Sequence, residues 1–191
     1  MNLDRLNGVV VDVETGGLHP DRCALLEIGL LAISEGRIVA KWHTRVIPHP
    51  GFLVEPEAAF VNGYTPEWGG AEEGAVLRGV VDFLRWFQGS IKRKQLTWIG
   101  ANVPFDREFV RAAAIRHGCF HDIASSFSHR DVDVARLAMI PLLAGAIKGI
   151  GLDVLRRDLL GLEKRGFHNA LNDCEDTFSC LRTMMARMEW A

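Results

Sequence analysis

Apolar positions along the chain follow two periods, and the changes of period divide it into elements. Val9 to Val13 is a short β-branched run behind Gly8, which predicts a buried strand. Leu25 to Ile33 predicts a second strand, Ser34-Glu35-Gly36-Arg37 a turn, and Ile38 to Ile47 a third strand. So short a link makes the second and third strands an antiparallel hairpin. Residues 48–70 hold prolines at 48, 50, 56 and 66 and four glycines, the mark of a surface excursion with one short helix near Pro56 to Val61. Val76, Val80, Phe83, Leu84 and Phe87 then recur at helical spacing, and Gln95 to Ala101 predicts a fourth strand. Pro104 opens a helix over 104–117, because its missing N–H is no loss in a first helical turn. Arg130 to Val134 predicts a short fifth strand running into a helix over 134–144. Gly149 and Gly151 break the chain before a helix over 152–160. Leu171, Cys174, Phe178, Leu181, Met185 and Met188 form one apolar stripe at spacings of three and four, the last helix.

This order predicts an α/β domain: a five-stranded mixed sheet flanked by helices, with the hairpin on one side. With neither an internal repeat nor a low-complexity linker, residues 1–191 read as a single domain. Composition adds little, since 48% hydrophobic and 24% charged residues are an ordinary globular mixture. No stretch is apolar and long enough to span a bilayer, so no membrane partner is expected. The start, MNLDRLNG, lacks an apolar run with a cleavage site, and no secretion signal is expected. Cys23, Cys119, Cys174 and Cys180 form no CxxC pair and read as reduced, packed thiols of a cytoplasmic protein. The net charge of -2 does not point to nucleic acid, nor does it exclude it. A carboxylate cluster can cancel a local basic surface in the total.

Three short motifs carry candidate chemistry. Asp12 and Glu14 lie two apart at the end of the first strand, so both point to one face. Two acids so placed repel unless something positive lies between them. Thr15, Gly16 and Gly17 follow and allow close approach of another backbone. Alone, the pair also reads as a strand end turning into solvent. Asn102-Val103-Pro104-Phe105-Asp106 joins the fourth strand to a helix, where α/β sheets bind ligands. Asn102 or Asp106 could equally serve the helix start. His168-Asn169-Ala170-Leu171-Asn172-Asp173 opens the last helix, with Gly166 freeing the loop before it. An ordinary helix N-terminus with a favourable acid reads the same way.

Together the motifs resemble the DnaQ-like, or DEDDh, family of 3′–5′ exonucleases, whose pattern runs DxE, then N-x-x-F-D, then H-x-A-x-x-D. Here these are Asp12-Val13-Glu14, Asn102 to Asp106 and His168 to Asp173, and Asp12 to Gly16 also matches the extended first motif. The resemblance spans residue 9 to about 185 and implies a ribonuclease-H-like fold. It implies hydrolysis of the terminal phosphodiester at single-stranded nucleic acid 3′ ends, releasing nucleoside 5′-monophosphates. Asp12, Glu14, Asp106 and Asp173 would hold two Mg²⁺ or Mn²⁺ ions, for which carboxylates are suitable hard ligands. Asp12 would bridge both ions, and His168 would be the general base. Thr15, Gly16, Gly17, Leu18 and Asn62 would meet the terminal nucleotide, with Asn102 and Phe105 nearby.

Phe52, Phe60 and Phe105 are candidates to stack on bases or to fill the core. Arg107, Arg111, Arg156, Arg157, Lys164 and Arg165 are candidates for phosphate or for solvated helix faces. Asp131 and Asp133 also stand two apart, but Asp133 reads as a helix cap. His117-Gly118-Cys119-Phe120-His121 offers three zinc ligand types without a matching fourth, and reads as a helix end. Two other functions stay open: a non-catalytic nucleic-acid-binding or proofreading-type subunit, and a metal-dependent phosphohydrolase of small nucleotides. The motifs do not choose DNA over RNA. A second copy of the chain or a polymerase as partner is likewise left open.

Overall fold

The computed structural model describes residues 3–163 and 166–187. Its sheet has six strands: β1 (Gly8–Thr15), β2 (Leu25–Ser34), β3 (Arg37–Ile47), β4 (Ala71–Glu72), β5 (Leu96–Gly100) and β6 (Phe127–Asp133), in the order β4-β3-β2-β1-β5-β6. β1, β2 and β3 are antiparallel neighbours, while β5 and β6 run parallel to β1. The sixth strand corrects the five expected. β4 is two residues on the edge, pairing with Val46 and Ile47, and is too short to show a period. The β2–β3 turn has Glu35 and Gly36 both at positive φ, the geometry of a two-residue hairpin loop.

Helices cover both faces. α1 (Pro56–Asn62) and α2 (Glu73–Ile91) precede β5; α3 (Val103–Arg116) and α4 (Phe120–Ser126) precede β6. α5 (Val134–Leu137), α6 (Met139–Leu143) and α7 (Leu152–Leu155) follow, then a π turn at Arg156–Leu160 and α8 (Ala170–Arg187). The helix expected over 134–144 is broken at Ala138. Pro141 lacks the N–H that an unbroken helix would give to the Leu137 carbonyl. The helix expected over 152–160 is α-helical only to Leu155 and then widens into the π turn, and α4 was not anticipated. Met188, Lys164 and Arg165 lie outside the described residues.

The period of two divides β1 between two cores. Val9, Val11 and Val13 pack with Val80, Leu84, Phe87 and Phe109 on the α2–α3 face. Val10 packs with Leu31, Ile33, Phe178 and Leu181 on the α8 face. Phe178 is 1% exposed, and truncating such a ring costs about 3–5 kcal/mol. The exposed Lys41–Glu175 pair also ties α8 to the sheet, but such pairs are worth only about 0–1 kcal/mol. Apolar burial therefore seats the helix. Residues 48–70 are not wholly a surface excursion. Trp68 is buried with Ala24 and Leu26, and its indole N–H donates to the Leu26 carbonyl at 3.2 Å. No helix among the described residues is long and apolar enough to cross a membrane.

Candidate active site

Asp12 and Glu14 continue the side of β1 that faces α8, beyond the point where Val10 fills the core. α3 starts directly after β5, and its first turn carries Asp106 beside β1. The Asp106 carboxylate accepts the Val13 N–H at 3.2 Å, which fixes helix to strand. α8 crosses the same strand end from the other side, with Asp173 in its first turn. His168 precedes that helix; its N–H donates to the Val61 carbonyl at 3.1 Å, and its Nδ1 lies 3.2 Å from Asp173 Oδ2. Ligand atoms of Glu14, His168 and Asp173 all lie within 4.8 Å of one another.

These side chains open on one cavity of about 1110 Å³. Asp12, Glu14, Asp106, Asp173 and His168 line it, as do Thr15, Gly17, Leu18, Asn62, Asn102 and Phe105. Gly16 does not. Its backbone is committed to packing: a Cβ there would meet the Leu53 carbonyl at 2.3 Å, and its N–H donates to Ala24 at 2.7 Å. Asn62 donates to the Thr15 carbonyl at 2.9 Å, and Thr15 Oγ1 donates to the Gly17 carbonyl at 2.7 Å, so this segment is held from within. Leu18 is left 73% exposed at the mouth.

Crowding sets the electrostatics. Burial, then Asp106, Glu14 and Asp173, push the Asp12 carboxyl well above its ordinary value. Burial, then Asp173, Glu27 and Asp106, push Glu14 up to about 9. Burial also raises Asp106, although the N–H groups of Val13 and of Asp106 itself pull it back. The Asp12 and Glu14 carboxyls are thus crowded by other acids.

Several expected contacts lie elsewhere. Phe52 packs under Arg116, 4.1 Å from ring centre to guanidinium carbon, and does not line the cavity. Phe60 is 81% exposed and also does not line it. Arg107 donates to Asp131 at 2.9 Å, and Arg111 and Arg157 lie beside Glu108 and Asp158. Arg156 is buried against Asp176. Asp133 does cap α5, accepting the Arg136 N–H at 3.0 Å, and also takes the Val103 N–H at 3.1 Å. His117 turns away from Cys119 and His121 and meets Glu73 and His49. The four cysteines are free thiols. Sequence reasoning missed Arg136, Met139, Ile150 and Leu152, which form a cavity wall. Arg136 and Met139 reach it past the corner between β6 and α5, and Ile150 and Leu152 at the entry to α7, places that leave no periodic signal.

Residues 9–181 match a protein-family model described as Exonuclease, RNase_T. Ribonuclease T of Shewanella frigidimarina is 33% identical, over 88% of this chain and 77% of that protein. Ribonuclease T of Marinobacter nauticus is 31% identical, again over 88% and 77%. Among solved structures, E. coli Exonuclease I in complex with a dT13 oligonucleotide superposes with a TM-score of 0.77 at 19% identity. That alignment takes in 95% of this chain but only 41% of Exonuclease I, so it speaks for the fold alone.

Proposed function

Because the chain belongs to the exonuclease family, in its DnaQ-like 3′–5′ branch, we propose that it trims single-stranded DNA or RNA from the 3′ end, one nucleoside 5′-monophosphate at a time, with divalent cations. The observation that carries this reading is the convergence of Asp12, Glu14, Asp106, Asp173 and His168 on one cavity at the ends of β1 and β5. The cavity, at about 1110 Å³, exceeds the roughly 300–1,000 Å³ of ordinary small-molecule pockets. That favours a strand end over a free mononucleotide.

The residues fit hard cations. Four carboxylates crowd together, and three of them are raised by burial and mutual repulsion, an excess of negative charge that bound cations relieve. Asp12, Glu14, Asp106 and Asp173 would hold two Mg²⁺ or Mn²⁺ ions. Such ions, when bound, lower the pKa of a water and neutralise charge on the scissile phosphate. The chain's own residues do the rest. An Nδ1–H on His168 donates to Asp173, which leaves Nε2 as the basic nitrogen that takes the proton of the attacking water. Leu18 meets the terminal base at the mouth, while Asn62 keeps the Thr15 to Leu18 segment from collapsing inward. Arg136, 68% exposed on the cavity wall, faces incoming phosphates.

A product time course on matched 5′-labelled single-stranded DNA and RNA, with Mg²⁺, with Mn²⁺ and with chelator, tests the reading. Progressive shortening that stops in chelator is expected. Efficient cutting of a circular strand, or hydrolysis of mononucleotides alone, overturns it.

A further inference from the structure

The turn that carries His168 and Asp173 is anchored by an acid from a different strand. Glu27 is the direct partner of Glu14 in the β1–β2 register and is 1% exposed. Its carboxylate contacts Asn169 Nδ2 and His43 Nε2 and accepts the Ala170 N–H at 3.2 Å. Asn169 in turn accepts the Asn172 N–H at 3.1 Å through Oδ1. Two of the backbone donors that the start of α8 cannot satisfy internally are thus taken, one by Asn169 and one by Glu27. Negative charge there also suits the helix dipole. Two residues along β2, Gly29 lets this turn lie directly on the strand: a Cβ on Gly29 would meet the Ala170 carbonyl carbon at 2.5 Å. The Gly29 carbonyl also lies 3.3 Å from Cys174 Sγ. Glu27 therefore adds charge beside an acid cluster that already has too much, and a purely structural need for burial would not select it.

We propose that Glu27, supported by His43, is a positioning residue of the hydrolytic centre: it fixes Asn169 and the first turn of α8, and through them sets His168 and Asp173 against Asp12 and Glu14. This rests on the exonuclease reading of the same cavity. Glu27 touches neither substrate nor reacting atoms; it acts through residues that do. His43, on β3, meets the same Glu27 oxygen as Asn169, its Nε2 3.4 Å from Asn169 Nδ2.

The test compares Glu27→Ala, Glu27→Gln, His43→Ala and the control Lys41→Ala. Lys41 also joins β3 to α8, through an exposed pair with Glu175 in the second turn that bonds none of the Ala170 to Asp173 backbone. Trimming of a single-stranded oligonucleotide is measured at saturating Mn²⁺ below each melting temperature, with amide hydrogen exchange at Ala170 to Asp173. Glu27→Ala is expected to lower kcat about 10–100-fold, the usual effect of losing a partner that orients metal-site residues, with KM little changed. Exchange in the first turn of α8 should rise. Glu27→Gln keeps an acceptor for the Ala170 N–H and should recover most of kcat. His43→Ala should fall between, and Lys41→Ala should match the wild type. Equal losses in Glu27→Gln and Glu27→Ala would show that charge, not placement, matters, and would overturn the proposal. So would a wild-type kcat in Glu27→Ala, or losses in all variants that track melting temperature. If Glu27→Ala does not fold, Glu27→Gln and His43→Ala still decide by the KM–kcat split. Absence of trimming by the wild type would fail the exonuclease reading instead. The exchange data would still judge the placement, since unchanged protection at Ala170 to Asp173 in these variants overturns it.

Discussion

Among the described residues, two clusters each bring three ligand-bearing side chains within 4.8 Å, and they differ in what surrounds the acid. In the first, Glu14 meets His168 and Asp173, with Asp12, Asp106 and Glu27 adding negative charge. In the second, Glu73 meets His49 and His117, but Arg116 grips both of its oxygens, Nη2 to Oε1 at 2.8 Å and Nε to Oε2 at 3.2 Å. His117 Nε2 is 2.8 Å from the same Oε2. Glu73 is thus balanced by its neighbours, and its cluster ties the start of α2 to the end of α3. In the first cluster the neighbours acting on Glu14 are further acids, and the cluster opens on the large cavity. Proximity of ligand atoms does not by itself make a reactive centre. Acids crowded by further acids at the mouth of a cavity, in a fold stabilised elsewhere, set the first cluster apart.

The comparison breaks most sharply on turnover. Asp12→Ala and Asp173→Ala should each abolish release of mononucleotides, while circular dichroism and thermal melting show a folded protein. Each removes one of several repelling acids, so the metal-free variants should melt no lower than the wild type. Glu73→Ala should do the reverse. It leaves Arg116 without its partner, which costs roughly 3 kcal/mol, the low end for breaking a buried pair because Arg116 is partly exposed. Activity per folded molecule should persist. Loss of turnover in Glu73→Ala at full stability would erase the distinction.

A smaller effect separates the histidines. His168→Ala should slow single-turnover cleavage about 10²–10⁴-fold, the usual contribution of a positioned general base, at saturating metal. His117→Ala should leave that rate alone and lower the melting temperature. A near wild-type rate in His168→Ala would remove it from the mechanism.

The two periods made most of this fold legible in the sequence. β1 to β3, β5, α2, α3 and α8 are long enough for the alternation or the helical stripe to repeat. β4 has two residues, too few to show a period, and α4 was not anticipated. α5 and α7 fall inside the helices expected over 134–144 and 152–160, but at four residues each they are too short for a period to mark where they end. The acid set was legible because DxE, N-x-x-F-D and H-x-A-x-x-D are local patterns. What surrounds it was not. Glu27 sat inside an apolar strand that reads as core, and its neighbour Glu14 is set by hairpin register, which no local pattern encodes. Arg107 and Arg156 were close to the motifs in sequence but are spent on Asp131 and Asp176. Arg136, which does reach the cavity, depends on a corner between two elements.

The smallest expected effect is also the most direct measure of imbalance. The unfolded chain releases the Glu14 proton near the ordinary value of 4.5, whereas in the folded protein that carboxyl is pushed up to about 9, mostly by burial and then by Asp173. Between those values the folded state holds more protons than the unfolded one. Stability must then fall as pH rises through that window, with the full contribution present below 4.5 and lost above about 9. Asp12 and Asp106, raised in the same direction, add to the slope. Thermal melting of the chelated protein across that range should therefore show a decline in melting temperature. Glu14→Gln should flatten it, since an amide has no proton to lose. Saturating Mn²⁺ should raise the melting temperature most at the alkaline end, where the carboxylates bind without first losing protons. A chelated wild type whose stability rises with pH through this window would mean that the four acids are compensated in solution, and the contrast between the two clusters would be lost.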